Sequence, residues 1–232
     1  FAILNPDVSA LDALEAANRP SVVLAMLAGP IFLAARRTLG APAAWLAVAY
    51  LLVIFAMSRS QSASLALIVW LVSYSIVRFF PIVGFGVLMV GGAVAISTLP
   101  FLFIILERLT DGWVPAIRLG SADARLEIWY AVSDKAMESP LYGHGLEASR
   151  SIKEWAFEFV RYVGPALHHP HNGILQIWLE LGAAGAALFA TIWLLVARQI
   201  MILPVAVRPA IAASYVAFLT IATVSHGLWQ SW

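Results

Sequence analysis

Of the 232 residues, 62% belong to the hydrophobic set, 12% are charged and the formal net charge is +1. An ordinary soluble domain is about 45–50% apolar and about 25% charged, so this chain carries more apolar surface than one water-facing core can hide, and its solvent is lipid. The small net charge and the lack of a basic stripe exclude nucleic acid as a partner. The absence of cysteine excludes disulfides, thiol nucleophiles and cysteine metal sites, and it fits an oxidising face such as the periplasm.

Spanning helices need roughly 20 apolar residues and at least about 17. Runs of that kind fall near residues 20–35, 41–57, 61–79, 82–106, 172–197 and 209–228. The first is short and interrupted by Gly29-Pro30. The fourth holds Gly84, Gly86, Gly91 and Gly92, with Pro100 near its end; neighbouring helices tolerate such breaks by re-satisfying the backbone. The pattern predicts an all-α, polytopic transmembrane helical bundle of about six spans. Residues 1–106 form four helices with short loops, 107–171 a long polar loop and 172–232 the last two helices. With Phe1 at one end and Trp232 at the other, the chain reads as an internal piece of a longer membrane protein.

Charge placement orients the bundle. If spans alternate, one set of connections holds Arg36, Arg37, Arg78, Arg198 and Arg208 and no Asp, Glu or Lys. Short, purely basic loops belong in the cytoplasm. The other side then carries Arg59 and the segment 107–170, which has seven Lys or Arg against nine Asp or Glu. That long loop and Arg59 are therefore expected to lie on the outer side of the membrane, as suits a multi-pass protein.

The loop is not featureless. Residues 123–138 set Leu126, Trp129, Tyr130, Ser133 and Met137 on one helical stripe, with Asp123 placed to cap the start and Ser139-Pro140 to end it. A second amphipathic helix is predicted over 146–163, through Ile152, Trp155, Phe159 and Tyr162. Both would lie against the membrane surface or fold over the bundle.

Candidate chemistry clusters around this loop. His168, His169, Pro170, His171 and Asn172 stand at the mouth of the fifth span, where a histidine can act as general base or acid. Adjacent histidines diverge, and no H-E-x-x-H is present, so the pattern does not favour a metal site. The competing structural reading is a helix capped by Asn172. Arg125, early in the first loop helix, is disfavoured there by the helix dipole unless an anion joins it; a pairing with Asp123 or Glu127 would explain it equally well. Arg59, in a tight outer turn, suggests an anionic partner, or else snorkelling to headgroups. Glu180, two turns into the fifth span, is a functional candidate or a structural bond to a neighbour. The run Gly182-Ala183-Ala184-Gly185-Ala186-Ala187 reads as close packing.

Taken in order, Ser58-Arg59, Arg125-x-x-x-Trp129, Ser139-Pro140-Leu141-Tyr142-Gly143-His144-Gly145, His169-Pro170-His171-Asn172-Gly173-Ile174-Leu175-Gln176 and Leu179-Glu180-Leu181-Gly182 resemble the O-antigen ligase and polymerase superfamily. These are membrane glycosyltransferases of bacterial surface polysaccharides. His171 and Gly182 are separated by ten residues, the H-x10-G spacing associated with the ligases. The resemblance covers about residues 45–230. It implies an undecaprenyl-pyrophosphate-linked glycan donor, an acceptor glycan or lipid A-core, and no cofactor or metal. It also implies His171 as the catalytic group that helps deprotonate the acceptor hydroxyl, and Arg59 and Arg125 as ligands of the pyrophosphate leaving group. His169 and Glu180 are secondary candidates. Trp129 stands where the ligases are described with leucine in R-x3-L, and no outer arginine gives the R-x10-G of the polymerases, so ligase and polymerase both stay open. The rival readings are a transporter or flippase of an anionic lipid-linked substrate, or a non-catalytic polysaccharide export component.

Overall fold

The computed structural model describes residues 20–58, 60–110, 121–152, 155 and 170–225, with backbone alone at 121–124. Every regular element among them is helical: α1 (Pro20–Met26), α2 (Ala28–Leu39), α3 (Ala41–Met57), α4 (Gln61–Phe79), α5 (Val83–Leu109), α6 (Ser121–Glu138), α7 (Ala148–Ser151), α8 (Gly173–Met201) and α9 (Arg208–Val224). Among the described residues helices overlap each of the six apolar runs, the first run holding the bent pair α1 and α2. Three of them, α4, α5 and α8, are long and apolar enough to cross a membrane, and the bent pair α1 and α2 would make a fourth. At 17 residues each, α3 and α9 are apolar but shorter. The described residues are all-helical in their regular structure, and the three to four candidate spans are those of a multi-pass membrane protein.

Its residues fall into two compact units, Phe1–Met89 with Val196–Ile221, and Val90–Leu195 with Ala222–Trp232. In the first, α1 and α2 meet at an angle of 61°. The interruption expected at Gly29-Pro30 lies at Leu27, and Pro30 sits in the first turn of α2, where no intrahelical N–H is required. The amide of Gly29, left over by the break, donates to Ser214 Oγ at 2.9 Å, and the same hydroxyl receives the Trp70 indole N–H at 3.1 Å. Phe32 and Trp70 are buried in this core. Their rings lie 5.6 Å apart, and Tyr74 stacks on Trp70 at 5.2 Å. Ser58 ends α3 and Ser60 caps α4, accepting from the Ala63 amide at 3.4 Å.

The second unit carries the polar loop. Within α5, Pro100 cannot donate to the carbonyl of Ile96 four residues earlier. The Trp178 indole of α8 fills the gap, donating to that carbonyl at 2.9 Å. An orphan carbonyl in an apolar medium costs several kcal/mol, so proline and tryptophan form one unit of design.

The first loop helix forms as α6, starting two residues before Asp123 and ending at Glu138, just before Ser139-Pro140. Its buried face differs from the expected stripe. Tyr130 and Ser133 of that stripe are buried, but Leu126, Trp129 and Met137 are only half-buried, while Glu127, Ile128, Val132 and Ala136 are buried off it. Ile128 and Val132 share a core with Phe103, Tyr130, Ala148, Leu175 and Leu179, each fully buried aliphatic side chain contributing about 1.5–3 kcal/mol.

The second helix, predicted over 146–163, is not continuous. Among its described residues the helical turn is α7, with Glu147 left-handed before it and Ile152 extended after it. Ala148 and Ser149 are buried in this turn, so local docking overrides the amphipathic period. Phe159 and Tyr162 lie outside the described residues.

Candidate functional site

The segment Pro170-His171-Asn172 leads into α8, and its three residues are fixed by different means. Asn172, 1% exposed, caps the helix: its Oδ1 accepts from the amides of Ile174 and Leu175, each at 3.1 Å. Two of the orphan N–H groups at the helix start are thereby satisfied. The buried Pro170 offers its carbonyl to the Trp129 indole at 3.0 Å. Between these anchors His171 takes φ 54°, a left-handed conformation that non-glycine residues seldom adopt, although histidine is among those that tolerate it. The strain, of order 1–3 kcal/mol, persists because the residues on both sides are held.

Trp129 lies one helical turn beyond Arg125 on α6, so both side chains leave the same face. Arg125 Nη1 donates to the carbonyl of Val224 at 2.6 Å, at the end of α9. A cation at a helix C-terminus is favoured by the dipole and satisfies one of the last carbonyls. The ring of His171 is hydrogen-bonded to the backbone of the next residue, Ser225. Because that bond favours the charged ring, whose nitrogens only donate, the acceptor is the Ser225 carbonyl. Arg125 and His171 thus converge on one helix end.

Electrostatics at His171 follow from this placement. Burial of the half-exposed ring pushes its pKa below the ordinary 6.5, the Arg125 guanidinium pushes it further down, and the Ser225 bond partly opposes them. The ring is therefore held neutral at neutral pH, as a proton acceptor must be.

The other end of the H-x10-G spacing has a separate role. Gly182 interrupts α8 with φ 61° and ψ −156°, a region open essentially to glycine alone. The loop 140–145 enters the break. The amides of His144 and Gly145 donate to the carbonyls of Leu179 and Glu180, at 2.8 and 3.0 Å. In return the amides of Ala183 and Ala184 donate to Pro140 and Leu141, at 2.8 and 3.1 Å. These are the groups a continuous helix would have paired with each other. A Cβ on Gly182 would meet the Leu141 and Gly143 backbone, and one on Gly143 the Glu180 backbone. The glycine expected to serve helix packing instead admits a loop.

Glu180, 1% exposed, accepts from Gln176 Nε2 at 2.9 Å, one turn before it in α8. Arg59, His168 and His169 lie outside the described residues. Among the described residues no cluster of three or more His, Asp or Glu could hold a metal ion. The structure therefore joins Arg125 to His171 and adds three residues not named as site candidates, two of which lie in the quoted motifs. Trp129 was visible as the fourth residue after Arg125. Gly143 was visible as a glycine within a short turn motif. Ser225 gave no signal, since it acts through its backbone.

Residues 46–190 match the family model described as O-antigen ligase. Among curated proteins, a "Putative polysaccharide ligase" of Rickettsia conorii is 39% identical over 117 residues, covering 48% of this chain and 28% of that protein. Similarly described proteins of Rickettsia typhi and Rickettsia prowazekii are 37% and 36% identical over 117 residues, each match covering 48% of this chain and 29% of the relative. The matched stretch thus spans under a third of the length of these relatives. No solved structure matches the chain.

Proposed function

Since the chain belongs to the O-antigen ligase family, we propose that it carries the catalytic part of a membrane glycosyltransferase that moves a glycan from undecaprenyl pyrophosphate to an acceptor sugar at the periplasmic face of the bacterial inner membrane. The observation that carries this reading is His171, kept neutral by burial and by Arg125, and locked at the head of α8. In the proposed step His171 takes the proton of an acceptor hydroxyl. The hydroxyl oxygen bonds to the anomeric carbon of the donor as the bond from that carbon to the phosphate oxygen breaks. The electron pair leaves with undecaprenyl pyrophosphate, and attack from the opposite face inverts the configuration.

Arg125 and Arg59 take the charge that develops on the leaving group. The Nη1 bond of Arg125 to the Val224 carbonyl aims the guanidinium, and a neutral carbonyl acceptor does not itself neutralise it. Two arginines in this role leave no need for a bound cation, so a chelator should not abolish transfer. His169 and Glu180 are assigned supporting places only. The names of the relatives favour ligation of a polysaccharide to an acceptor, such as lipid A-core, over polymerisation. In this reading all six apolar helical segments cross the membrane, and the loop from Glu107 to His171 faces outward.

The test is His171→Asn in the full-length protein. Asparagine accepts the left-handed backbone as readily as histidine but offers no base. Glycan transfer from a lipid-linked donor should fall by at least about 100-fold, the lower end of what one general base contributes, while the protein still inserts. Near-normal transfer by this variant would remove His171 from the chemistry.

A further inference from the structure

The surroundings of α8 change at Gly182. From Asn172 to Glu180 every residue is buried. Beyond the break one face is open and apolar, with Leu188 62% and Leu195 55% exposed. A helix enclosed by protein is buried all round, whereas one at the rim of a bundle in lipid shows an apolar face. The stretch from Ala183 to Met201 rises about 28 Å, close to the roughly 30 Å hydrocarbon thickness. The half-helix from Gly173 to Leu181 is therefore surplus to a span.

The loop that docks at the break is fixed at that level by four backbone hydrogen bonds. Its core-facing side is backbone, through Gly143. Its outward side carries Leu141 at 64%, Tyr142 at 78% and Leu146 at 68% exposure. Three large apolar groups within six residues form an unusual tip for a water-facing turn. Tyrosine is the residue type enriched where a membrane meets water, its ring in the apolar layer and its hydroxyl wet. Ion pairs flank the tip, Lys135 with Glu138 at 2.8 Å on one side and Arg150 with Glu147 at 3.4 Å on the other, as suits a headgroup layer.

We infer that the loop from Leu141 to Leu146 is an interfacial anchor: Leu141, Tyr142 and Leu146 enter the surface of the outer lipid leaflet, and the membrane boundary crosses α8 at Gly182. The half-helix from Gly173 to Leu181, about 14 Å long, then carries His171 to the outer side of that boundary. Glu180 lies at the boundary and not at the midplane. This rests on the membrane reading of α8 and is independent of the transfer chemistry.

The chain has no cysteine, which permits single labels. Leu141→Cys, Tyr142→Cys and Leu146→Cys in the full-length protein, its other cysteines replaced, would carry nitroxides in nanodiscs of phosphatidylethanolamine and phosphatidylglycerol. These side chains are exposed, so the core is untouched. Collisions with oxygen should exceed those with an aqueous nickel chelate and approach the ratio at Leu188→Cys, with the reverse at the exposed Asp134→Cys. Nickel access equal to that at Asp134→Cys would overturn the anchor, and so would protection from both reagents, which would mean that protein covers the tip. A water-like reading at Leu188→Cys would instead overturn the membrane assignment of α8.

Discussion

Arg125 and His171 end on successive carbonyls of one chain segment, Arg125 on Val224 at 2.6 Å and His171 on Ser225. The guanidinium is near enough to oppose a second positive charge on the imidazole. The sign follows directly. A histidine whose pKa is lowered keeps its base form to a pH below 6.5, so activity that needs the base is full above that value and fades as pH falls through the lowered pKa. Replacing Arg125 by Gln removes one of the two lowering influences and leaves burial in place. The acid limb of the residual transfer should move up towards 6.5 without passing it. Imidazole titration by NMR reads the same shift without turnover, and an unmoved midpoint would show that Arg125 does not act on His171.

Trp129→Phe should test the anchor on the other side of His171. The ring would still reach Phe103, now 5.2 Å away, but the Pro170 carbonyl would lose its donor. A buried acceptor left unsatisfied costs about 1–3 kcal/mol. We expect a matching loss of thermal stability and a fall in kcat of about tenfold, with the donor KM little changed, as follows if the indole acts by holding Pro170 beside the histidine. A change confined to KM would show that Trp129 belongs to a binding surface instead.

Asn172→Ala removes the cap of α8. Both Oδ1 contacts, to Ile174 and Leu175, would be lost at a site with 1% exposure. The expected destabilisation is about 1–2 kcal/mol, read as a lower Tm. Asn172→Asp should recover most of it, since a carboxylate accepts the same two bonds and suits the positive end of the helix. Equal losses in both variants would mean that the amide group has another role.

Much of this was legible before any coordinates. Apolar run lengths located the helical segments because lipid requires roughly 20 apolar residues per span. Asn172 was legible as a cap from its place ahead of an apolar run. The ordered motifs also brought Arg125 and His171 into one hypothesis. Other features left no period to read. The burial of Ile128 and Val132 on α6 depends on which neighbours enclose that helix, and a stripe with mixed polar members can be rotated by its surroundings. The extended Ile152 was hidden because aromatic spacing alone mimics a helix. Trp178 filling the gap left by Pro100 joins residues far apart in the chain, and no local pattern reports such a pairing.

The break at Gly182 gives the sharpest contrast among glycines. Gly182→Ala forces a side chain into a backbone region that costs about 1–3 kcal/mol, and its Cβ meets the backbone of Leu141 and Gly143, which cannot move aside as a side chain tip can. Gly143→Ala has the same fault from the other side, at φ 69° against the Glu180 backbone. Each should lower stability by about 2–4 kcal/mol through strain and overpacking together. Gly91→Ala is the control: nothing lies within 4 Å of its Cβ, and alanine favours a helix interior by up to about 1 kcal/mol. Unfolding in detergent, followed by Tm, should place both loop-contact variants well below the native protein and Gly91→Ala at or above it. If Gly182→Ala matched Gly91→Ala, α8 would be able to run straight through residue 182, and the four hydrogen bonds of the docked loop would not be what shapes it.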